Sequence, residues 1–449
     1  MSFKATNIEE IDQAVKFNEA IGPDHPFFTD FSGMRGEFED RIVYKNLNVR
    51  KNQQGQLSFN PKINSGNKTL LFLGGMRGSG KTSELAKYAK ELNHKECFFC
   101  VTCNIDTELD LNALEYMDIL ILQLDNLTKQ LDAIPNLIVN KGIIDKMEDW
   151  FGQRQNEIKN ELKLKGKLEG GTSVSTKKVF WGLLDIFAKF KTSVNGSHER
   201  ATVVRTNLKN NFIVFANIFN EYIHEVNIAL REYEIGQEVL FIVDGLEKTM
   251  SADVRHKIII DEQNRIEKIK AYTIFTLPIE LVDQRPNLTR FCNVEVFPFV
   301  KIHERDGKKN KRGYEAFKKF IDNRIERSLF ENEKVIEKAV YYSGGSPREL
   351  LKILEMAAFY VEGNKVTMNA LDSAIQRLAN QTAQFLDMSM INKLKEIEVN
   401  NQNGRDTLYD ETIQKMLENL YIMEYNSGTY KRINPLLEVT KIYHDYVKN

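Results

Sequence analysis

Apolar residues along the chain form five short runs, separated by longer stretches with helical spacing. The runs predict strands at 69–73, 97–106, 238–248, 271–278 and 293–299. The third run is apolar on both faces, which is typical of a central strand in a parallel sheet. Between the second and third runs, apolar residues recur three and four positions apart from Leu114 to Leu131. Strands that alternate with helices predict an α/β fold whose parallel sheet carries helices on both faces.

The segment 132–237 has the pattern of a helical insertion between two of these strands. Its last helix carries an apolar stripe made of Phe212, Phe215, Phe219, Tyr222, Val226 and Leu230. An earlier stretch, 179–190, is also amphipathic, with Phe180, Leu183, Leu184 and Phe187 on one face. Two interpretations of this stretch are open: a contact surface for another molecule, or packing against the helix at 212–230.

Charge and hydropathy exclude several classes of protein. The 449 residues include 62 Lys and Arg against 63 Asp and Glu, so no basic surface covers the chain and nucleic-acid binding would need a local patch. No apolar run approaches the roughly 20 residues that span a bilayer, so we expect no transmembrane segment. The N-terminus lacks the apolar core of a signal peptide. We therefore expect a cytoplasmic protein.

Three of the four cysteines, Cys97, Cys100 and Cys103, have a spacing that resembles a metal site. They fall in a predicted strand, where Cys97 and Cys103 would point to one face and Cys100 to the other. Side chains on opposite faces do not converge on one ion. We therefore predict buried structural cysteines, because free cysteine is among the most buried residue types.

The clearest chemical signal is the segment GMRGSGKT at 75–82, which fits the pattern G-x-x-x-x-G-K-[ST]. It follows an apolar strand and opens a helix, the context that a phosphate-binding loop requires. Its glycines, Gly75, Gly78 and Gly80, together with Ser79, would turn backbone N–H groups toward phosphate oxygens. Lys81 would reach the β- and γ-phosphates, and the Thr82 hydroxyl would ligate Mg²⁺. The sequence thus predicts ATP and Mg²⁺ as ligands.

A Mg²⁺–nucleotide site also needs a carboxylate at the end of a neighbouring strand. Asp244 ends the apolar letters VLFIVD and is the predicted acid, acting on Mg²⁺ through a water molecule. Together with Thr82 it completes the predicted set of metal-binding residues.

These segments, with TIFTLP, TRFCNVEVFPF and SGGSPRELLKIL, resemble the AAA+ and STAND superfamily of P-loop ATPases. The similarity lies with its origin-recognition-like and prokaryotic signalling branches. Many AAA+ ATPases place a catalytic glutamate directly after the strand-end aspartate, whereas here Gly245 follows and the next acid is Glu247. The resemblance implies Glu247 as general base, and the alternative is an acid favoured by a helix N-terminus. The split acid pair is STAND-like and argues against fast constitutive hydrolysis.

Three further residues take roles only through this resemblance. Thr276 matches the sensor-1 position, whose polar side chain touches the γ-phosphate or the attacking water, although it could simply end a strand. Arg290 matches the arginine finger, which reaches a neighbouring subunit's nucleotide, and a surface arginine is the alternative. Arg348 matches the sensor-2 region of the helical lid.

The last segment of the chain looks like a winged-helix domain, with a helix around Ile413 to Leu420 and a hairpin turning at 426–428. Residues 387–449 hold eight Lys and Arg against ten Asp and Glu, a balance that favours protein contact over DNA. The predicted divisions are an N-terminal extension (1–62), a P-loop core (63–300) with the helical insertion (132–237), a helical lid (301–380) and a winged helix (381–449).

The leading hypothesis is an ATP-driven molecular switch whose nucleotide state controls oligomerisation or an effector partner. The resemblance adds prokaryotic signalling or antiviral defence as a context, and a homo-oligomer with a partner chain as the assembly. A DNA-binding AAA+ ATPase of the origin-recognition or transposition-regulator type is the main alternative, and a scaffold that binds ATP without turnover is a third.

Overall fold

The computed structural model of the chain describes residues 3–61, 70–164, 180–249, 251–428 and 430–448, without the side chains at 283 and 427. Thr69 and Val179, the first residues of two predicted segments, lie outside the described residues, as does the predicted boundary at 62/63.

A five-stranded parallel sheet forms the centre of the molecule. The strands are β1 (Val49–Lys51), β2 (Leu57–Phe59), β3 (Leu70–Gly74), β4 (Phe98–Asn104), β5 (Glu238–Asp244), β6 (Tyr272–Leu277), β7 (Asn293–Val296), β8 (Ile422–Tyr425) and β9 (Tyr430–Ile433). The central sheet has the order β4-β5-β6-β3-β7, and β1-β2 and β8-β9 are separate antiparallel pairs. Each predicted run contains or overlaps one of the five parallel strands, so the α/β prediction is confirmed.

Side chains alternate along these strands between two hydrophobic clusters, one on each face of the sheet. In β5, Phe241 faces one cluster, while its neighbours Leu240 and Ile242 face the other. Both clusters are completed by helices, so the sheet is covered on both sides as predicted.

The helices, in chain order, frame this sheet. They are α1 (Ile11–Ala14), α2 (Asp40–Asn46), α3 (Lys81–Leu92), α4 (Ile105–Glu108), α5 (Tyr116–Asp132), α6 (Lys141–Leu164), α7 (Trp181–Val194), α8 (His198–Asn210), α9 (Phe212–Glu232), α10 (Ala252–His256), α11 (Gln263–Ile266), α12 (Arg285–Leu288), α13 (Lys311–Asp322), α14 (Glu333–Tyr342), α15 (Pro347–Phe359), α16 (Met368–Ala383), α17 (Met388–Gln402) and α18 (Glu411–Glu418).

The cysteines behave as structural side chains, with one correction to their arrangement. All of them are buried. Cys97 precedes β4 and lies in the same cluster as Cys100, whereas Cys103 faces the opposite side of the sheet. The predicted pairing of Cys97 with Cys103 on one face is therefore wrong, because Cys97 lies outside the regular alternation of the strand. Burial raises the pKa of the Cys97 thiol to about 12.

The insertion between β4 and β5 is helical, and its apolar faces are buried in one core with the sheet. In α7, Leu183 and Phe187 are fully buried. The Phe151 ring of α6 contacts the rings of Phe187, Phe190 and Phe215 at centroid distances of 5.1, 5.3 and 6.0 Å. Core packing is therefore the correct interpretation of the amphipathic stretch, although its most extensive helix contacts are with α5 and α8 rather than α9.

The N-terminal segment packs against helices from the second half of the chain. Helices α13 to α16, which we call the lid, share a hydrophobic cluster with Ala5, Ile11, Phe27 and Phe31. The Ala5 N–H donates to the Arg324 carbonyl oxygen at 2.7 Å, and the Glu326 N–H donates to the Ala5 carbonyl at 3.0 Å. Residues near the start of the chain are thus built into the lid.

The end of the chain forms two helices, α17 and α18, followed by the antiparallel pair β8-β9, which we call the C-terminal hairpin. Their hydrophobic cluster also contains Met76 from the glycine-rich loop and Phe299 from the segment after β7. Among the described helices, none is both long and apolar enough to cross a membrane.

Candidate nucleotide-binding site

The glycine-rich loop joins the end of β3 to the first residue of α3. Gly75, Gly78 and Gly80 have φ angles of 154°, 85° and 92°, a region that side chains with a Cβ rarely adopt. A Cβ on Gly75 would lie 2.5 Å from the Phe297 carbonyl oxygen. The loop can take this shape only with glycine at these positions, which explains the motif in physical terms.

Lys81 lies across this loop and is only 4% exposed. Its ammonium group donates to the carbonyl oxygens of Gly75 at 2.7 Å and Met76 at 3.0 Å. Burial lowers the pKa of Lys81, while the carboxylates of Glu247 and Asp244 act in the opposite direction. A buried cation is therefore held at the mouth of a loop whose Ser79 hydroxyl, within the described part of the chain, has no hydrogen-bond partner.

Asp244 ends β5, which is separated from the loop strand β3 by β6 alone. Both of its carboxylate oxygens are buried and lack hydrogen-bond partners among the described residues. Burial and, next, the neighbouring Glu247 raise the pKa of Asp244, and Thr82, Lys248 and Lys81 partly offset this. The two buried carboxylate oxygens and the nearby Thr82 hydroxyl form a donor set suited to a hard divalent cation.

Three features identify the architecture. The sheet is parallel, a glycine-rich loop with a buried lysine opens a helix, and an aspartate ends a strand that is one strand away from the loop strand. The chain has the P-loop NTPase fold. Within the described residues, no group of three or more His, Cys, Asp and Glu side chains could hold a metal ion by itself. In the P-loop NTPase fold this is expected, since a magnesium ion takes part of its ligands from the nucleotide.

Glu247 follows Asp244 on a sharp turn at Gly245, whose φ is 99°. It sits in a three-residue 3₁₀ turn, Leu246–Lys248, and one of its carboxylate oxygens is buried with no hydrogen-bond partner in the described chain. Glu247 thus lies in the first turn of this 3₁₀ segment, while α10 begins only at Ala252, and the alternative interpretation of an acid favoured by a helix N-terminus stays open. Glu247 lines the same cleft as Lys81 and Thr82.

Thr276 is fully buried near the end of β6, between the strands that carry Asp244 and the loop. Its hydroxyl oxygen accepts the Gly245 N–H at 3.2 Å. Thr276 therefore holds the turn that orients Glu247, a contact that the sequence did not indicate.

Arg348 enters from the lid at the start of α15. Its side-chain carbons lie 3.2 to 3.5 Å from the position that a Cβ on Gly78 would occupy. The preceding Ser346 donates its hydroxyl to the Gly78 carbonyl at 3.1 Å and accepts the Glu349 N–H at 3.3 Å. Burial lowers the pKa of Arg348, followed by the nearby charge of Arg77. The lid thus brings a cation to the P-loop.

Arg290 lies apart from this cleft. It is exposed and lies three residues before the first residue of β7. Since β7 runs parallel to β3, the start of β7 lies at the amino ends of the strands, whereas the P-loop lies at their carboxyl ends. Arg290 is not among the described residues that line the cleft.

Sequence reasoning missed the N-terminal wall of the cleft, formed by parts of residues 17–35. The Ile21 N–H donates to the Ser83 hydroxyl of α3 at 3.3 Å. Lys87 of α3 forms ion pairs of 2.7 Å with Asp40 and 2.8 Å with Glu84. No local pattern in the first 62 residues marks them as part of a nucleotide site.

Two buried arginines at this wall were also missed. Arg35 is 3% exposed, donates to the Pro298 carbonyl at 2.7 Å and stacks on Phe297 with its guanidinium 3.9 Å from the ring centroid. Arg324 is equally buried and stacks on Phe320 at 3.7 Å. Both line the cleft, so its walls carry more positive charge than the motif alone predicts.

No protein-family model matches this sequence, and no curated protein matches it. Among solved structures, the chain is similar to the Walker-type ATPase PABY2304 of Pyrococcus abyssi. The two share 15% sequence identity over 82% of this chain and 90% of that chain, with a TM-score of 0.36. The likeness is distant, and the P-loop NTPase fold is assigned from the strand order and the loop geometry described above.

Proposed function

We propose that this protein binds and hydrolyses ATP. The observation that carries the proposal is the convergence of Lys81, Thr82, Glu247 and Arg348 on one cleft beside the buried Asp244. A P-loop with the cation Arg348 beside it, the buried acid Asp244 and a second acid, Glu247, is an arrangement suited to phosphoryl transfer to water.

Each residue has a distinct role in this proposal. The loop N–H groups and Lys81 bind the β- and γ-phosphates, and Arg348 places a further positive charge beside them. Glu247 accepts a proton from the water that attacks the γ-phosphorus, and the bond from this phosphorus to the bridging oxygen of ADP breaks. Thr276 fixes the turn on which Glu247 stands. Thr82 and Asp244 would hold Mg²⁺, which when bound neutralises charge on the phosphates.

We further propose that hydrolysis drives a switch of the AAA+ or STAND type. The loop Ser343–Ser346 in the lid is in contact on two sides: Ser346 bonds the P-loop carbonyl of Gly78, and Gly344 accepts the Tyr425 hydroxyl at 2.6 Å. In this proposal, nucleotide at the P-loop and the C-terminal hairpin therefore act on the same short loop of the lid. In this proposal the C-terminal segment is a winged helix that controls oligomerisation or an effector in signalling or antiviral defence.

The decisive variant is Glu247→Gln, which keeps the shape of the side chain and removes the base. Steady-state ATP hydrolysis should fall by roughly 10²- to 10⁴-fold, the usual contribution of a general base, while ATP affinity stays within a few-fold of wild type. Glu267→Gln, at an exposed position, is the matched control. Hydrolysis at the wild-type rate in Glu247→Gln would show that another group serves as base.

The switch has its own test, mass photometry of the full chain with no nucleotide, ADP or ATP, each with and without DNA. A mass distribution that depends on nucleotide but not on DNA supports the switch. DNA-stimulated hydrolysis with a steep salt dependence would favour the DNA-binding alternative.

A further inference from the structure

The residues that line the nucleotide cleft form two chemically different sets. One set consists of the P-loop and the cations Lys81, Arg77 and Arg348. The other set, which we call the aromatic end, consists of rings from the N-terminal segment and the lid: Phe17, Phe27, Phe28, Phe31 and Phe320. A nucleotide whose phosphates lie on the P-loop would extend its base toward these rings, which suit a planar, weakly polar group.

Arg324 is the buried cation of this aromatic end. Its guanidinium lies 3.7 Å from the centroid of Phe320 and 5.3 Å from that of Phe27, so both rings are close to it. One amino group donates to the Phe320 carbonyl at 2.9 Å. No ion pair with a carboxylate neutralises it within the part of the chain that the structure describes.

The electrostatic surroundings of Arg324 differ from those of Arg35. The acids Glu84, Asp40 and Asp30 act on the Arg35 guanidinium and oppose the effect of its burial. Burial is the one influence recorded on Arg324, and it lowers the pKa of this group to about 9. A buried charge with no counter-ion is costly unless a ligand supplies acceptors.

We propose that Arg324 recognises the base of a bound purine nucleotide, and that the cleft therefore accepts 6-oxopurine nucleotides such as GTP at least as well as ATP. This inference rests on the proposed nucleotide binding. Guanidinium offers only donors, and guanine presents two adjacent acceptors, O6 and N7, on the edge that arginine reads as a fork. Adenine offers N7 alone, beside an amino group that is itself a donor.

The test measures the dissociation constants of ATP, GTP, ITP and 7-deaza-GTP with the full wild-type chain. ITP differs from ATP in carrying the 6-oxo group, and 7-deaza-GTP lacks the N7 acceptor. We expect GTP and ITP to bind at least as tightly as ATP. We expect 7-deaza-GTP to bind roughly 10- to 150-fold more weakly than GTP, the range for one hydrogen bond to a charged group.

The matched variants are Arg324→Met, which keeps an apolar side chain between the two rings, and Arg327→Met at an exposed position that pairs with Asp322. Arg324→Met should weaken GTP binding by at least the same factor and ATP binding by less, whereas Arg327→Met should change neither. The analogue series on the wild-type chain decides the question even if Arg324→Met fails to fold.

Three results would overturn the inference. GTP and 7-deaza-GTP could bind equally, Arg324→Met could weaken ATP and GTP by the same factor, or ATP could bind while GTP fails to compete. Each of these leaves ATP binding and hydrolysis intact. Failure of every nucleotide to bind would instead refute the proposed function, and this inference with it.

Discussion

At the scale of single residues, the Lys81 ammonium already lies between two carbonyl oxygens of the loop that it serves. Lys81→Ala removes a charged donor facing the phosphates, and such hydrogen bonds contribute roughly 1.5–3 kcal/mol. We expect ATP affinity to fall about 10- to 150-fold by calorimetry. Lys90→Ala, on the same helix with its side chain 56% exposed, should bind ATP as wild type does. Equal affinities for the two variants would contradict the role of Lys81.

His303 gives the protein a dependence of stability on pH. Its ring packs on Tyr341 and Tyr314 at 5.1 and 5.8 Å, and burial, followed by Arg432 and Lys309, lowers its pKa from 6.5 to about 4. Because this pKa is lower in the folded chain than in the unfolded chain, a neutral His303 ring favours the folded state and a protonated ring favours unfolding. This contribution is complete above pH 6.5 and is lost as the pH falls from 6.5 to 4.

Urea unfolding at pH 7 and pH 4 measures this effect. His303→Phe keeps the ring contacts and has no proton to gain. Its free energy of unfolding should therefore decrease less than that of wild type over this interval, by roughly 1–3 kcal/mol. His198→Phe, at an exposed position, is the control and should follow wild type. An equal loss of unfolding free energy in His303→Phe and wild type between pH 7 and pH 4 would show that the His303 ring is protonated to the same extent in the folded and unfolded chain.

Local pattern was enough to predict Lys81, Thr82 and Asp244, because each lies at a fixed place relative to a strand end. Arg35 and Arg324 could not be predicted in this way. Arg35 contacts Phe297, and Arg324 contacts Phe27 as well as its near neighbour Phe320. The contacts with Phe297 and Phe27 join segments that are far apart in the chain, and such contacts leave no periodicity in the sequence.

At the scale of elements, α7 is part of the core. Leu183 is fully buried, so Leu183→Ala should lower the free energy of unfolding by roughly 2–5 kcal/mol, through lost burial and the cavity left behind. Lys189→Ala, on the same helix but facing solvent, should change it by less than about 0.5 kcal/mol. A stable Leu183→Ala chain with altered assembly would restore the interpretation of α7 as a contact surface.

The strands were predicted well because parallel central strands are buried on both faces and so read as continuous apolar runs. The helices that pack on α7 were not predicted, because an amphipathic stripe reveals which face of a helix is buried but not what covers it. The N-terminal segment was missed for a related reason. Its burial comes from lid helices about 300 residues away along the chain, such as the one that ends at Asp322.

At the scale of the whole molecule, Arg290 bears on whether subunits share a catalytic site. It lies at the sheet edge opposite its own P-loop, so it could act only on a neighbour's nucleotide. An arginine supplied in this way contributes roughly 10³–10⁵ in rate in systems where it operates. We expect Arg290→Ala to bind ATP normally and to lose most hydrolysis that depends on protein concentration. Arg285→Ala, an exposed neighbour, serves as control.

Mixing the variants isolates the shared site. Lys81→Ala chains still present Arg290, so adding them to Arg290→Ala chains should restore part of the activity. Specific activity that stays constant with protein concentration, in wild type and in the mixture, would mean that each subunit works alone.

Met76 gives the order of synthesis a consequence for this protein. The side chain of this P-loop residue is buried in a cluster with Met416, Tyr421 and Met423 near the end of the chain. Translation proceeds from the N-terminus, and early segments fold before later ones exist. While the C-terminal hairpin is still inside the ribosome, the phosphate-binding loop therefore lacks the surface that supports it. We therefore expect a nascent chain to bind nucleotide only after synthesis has passed the C-terminal hairpin.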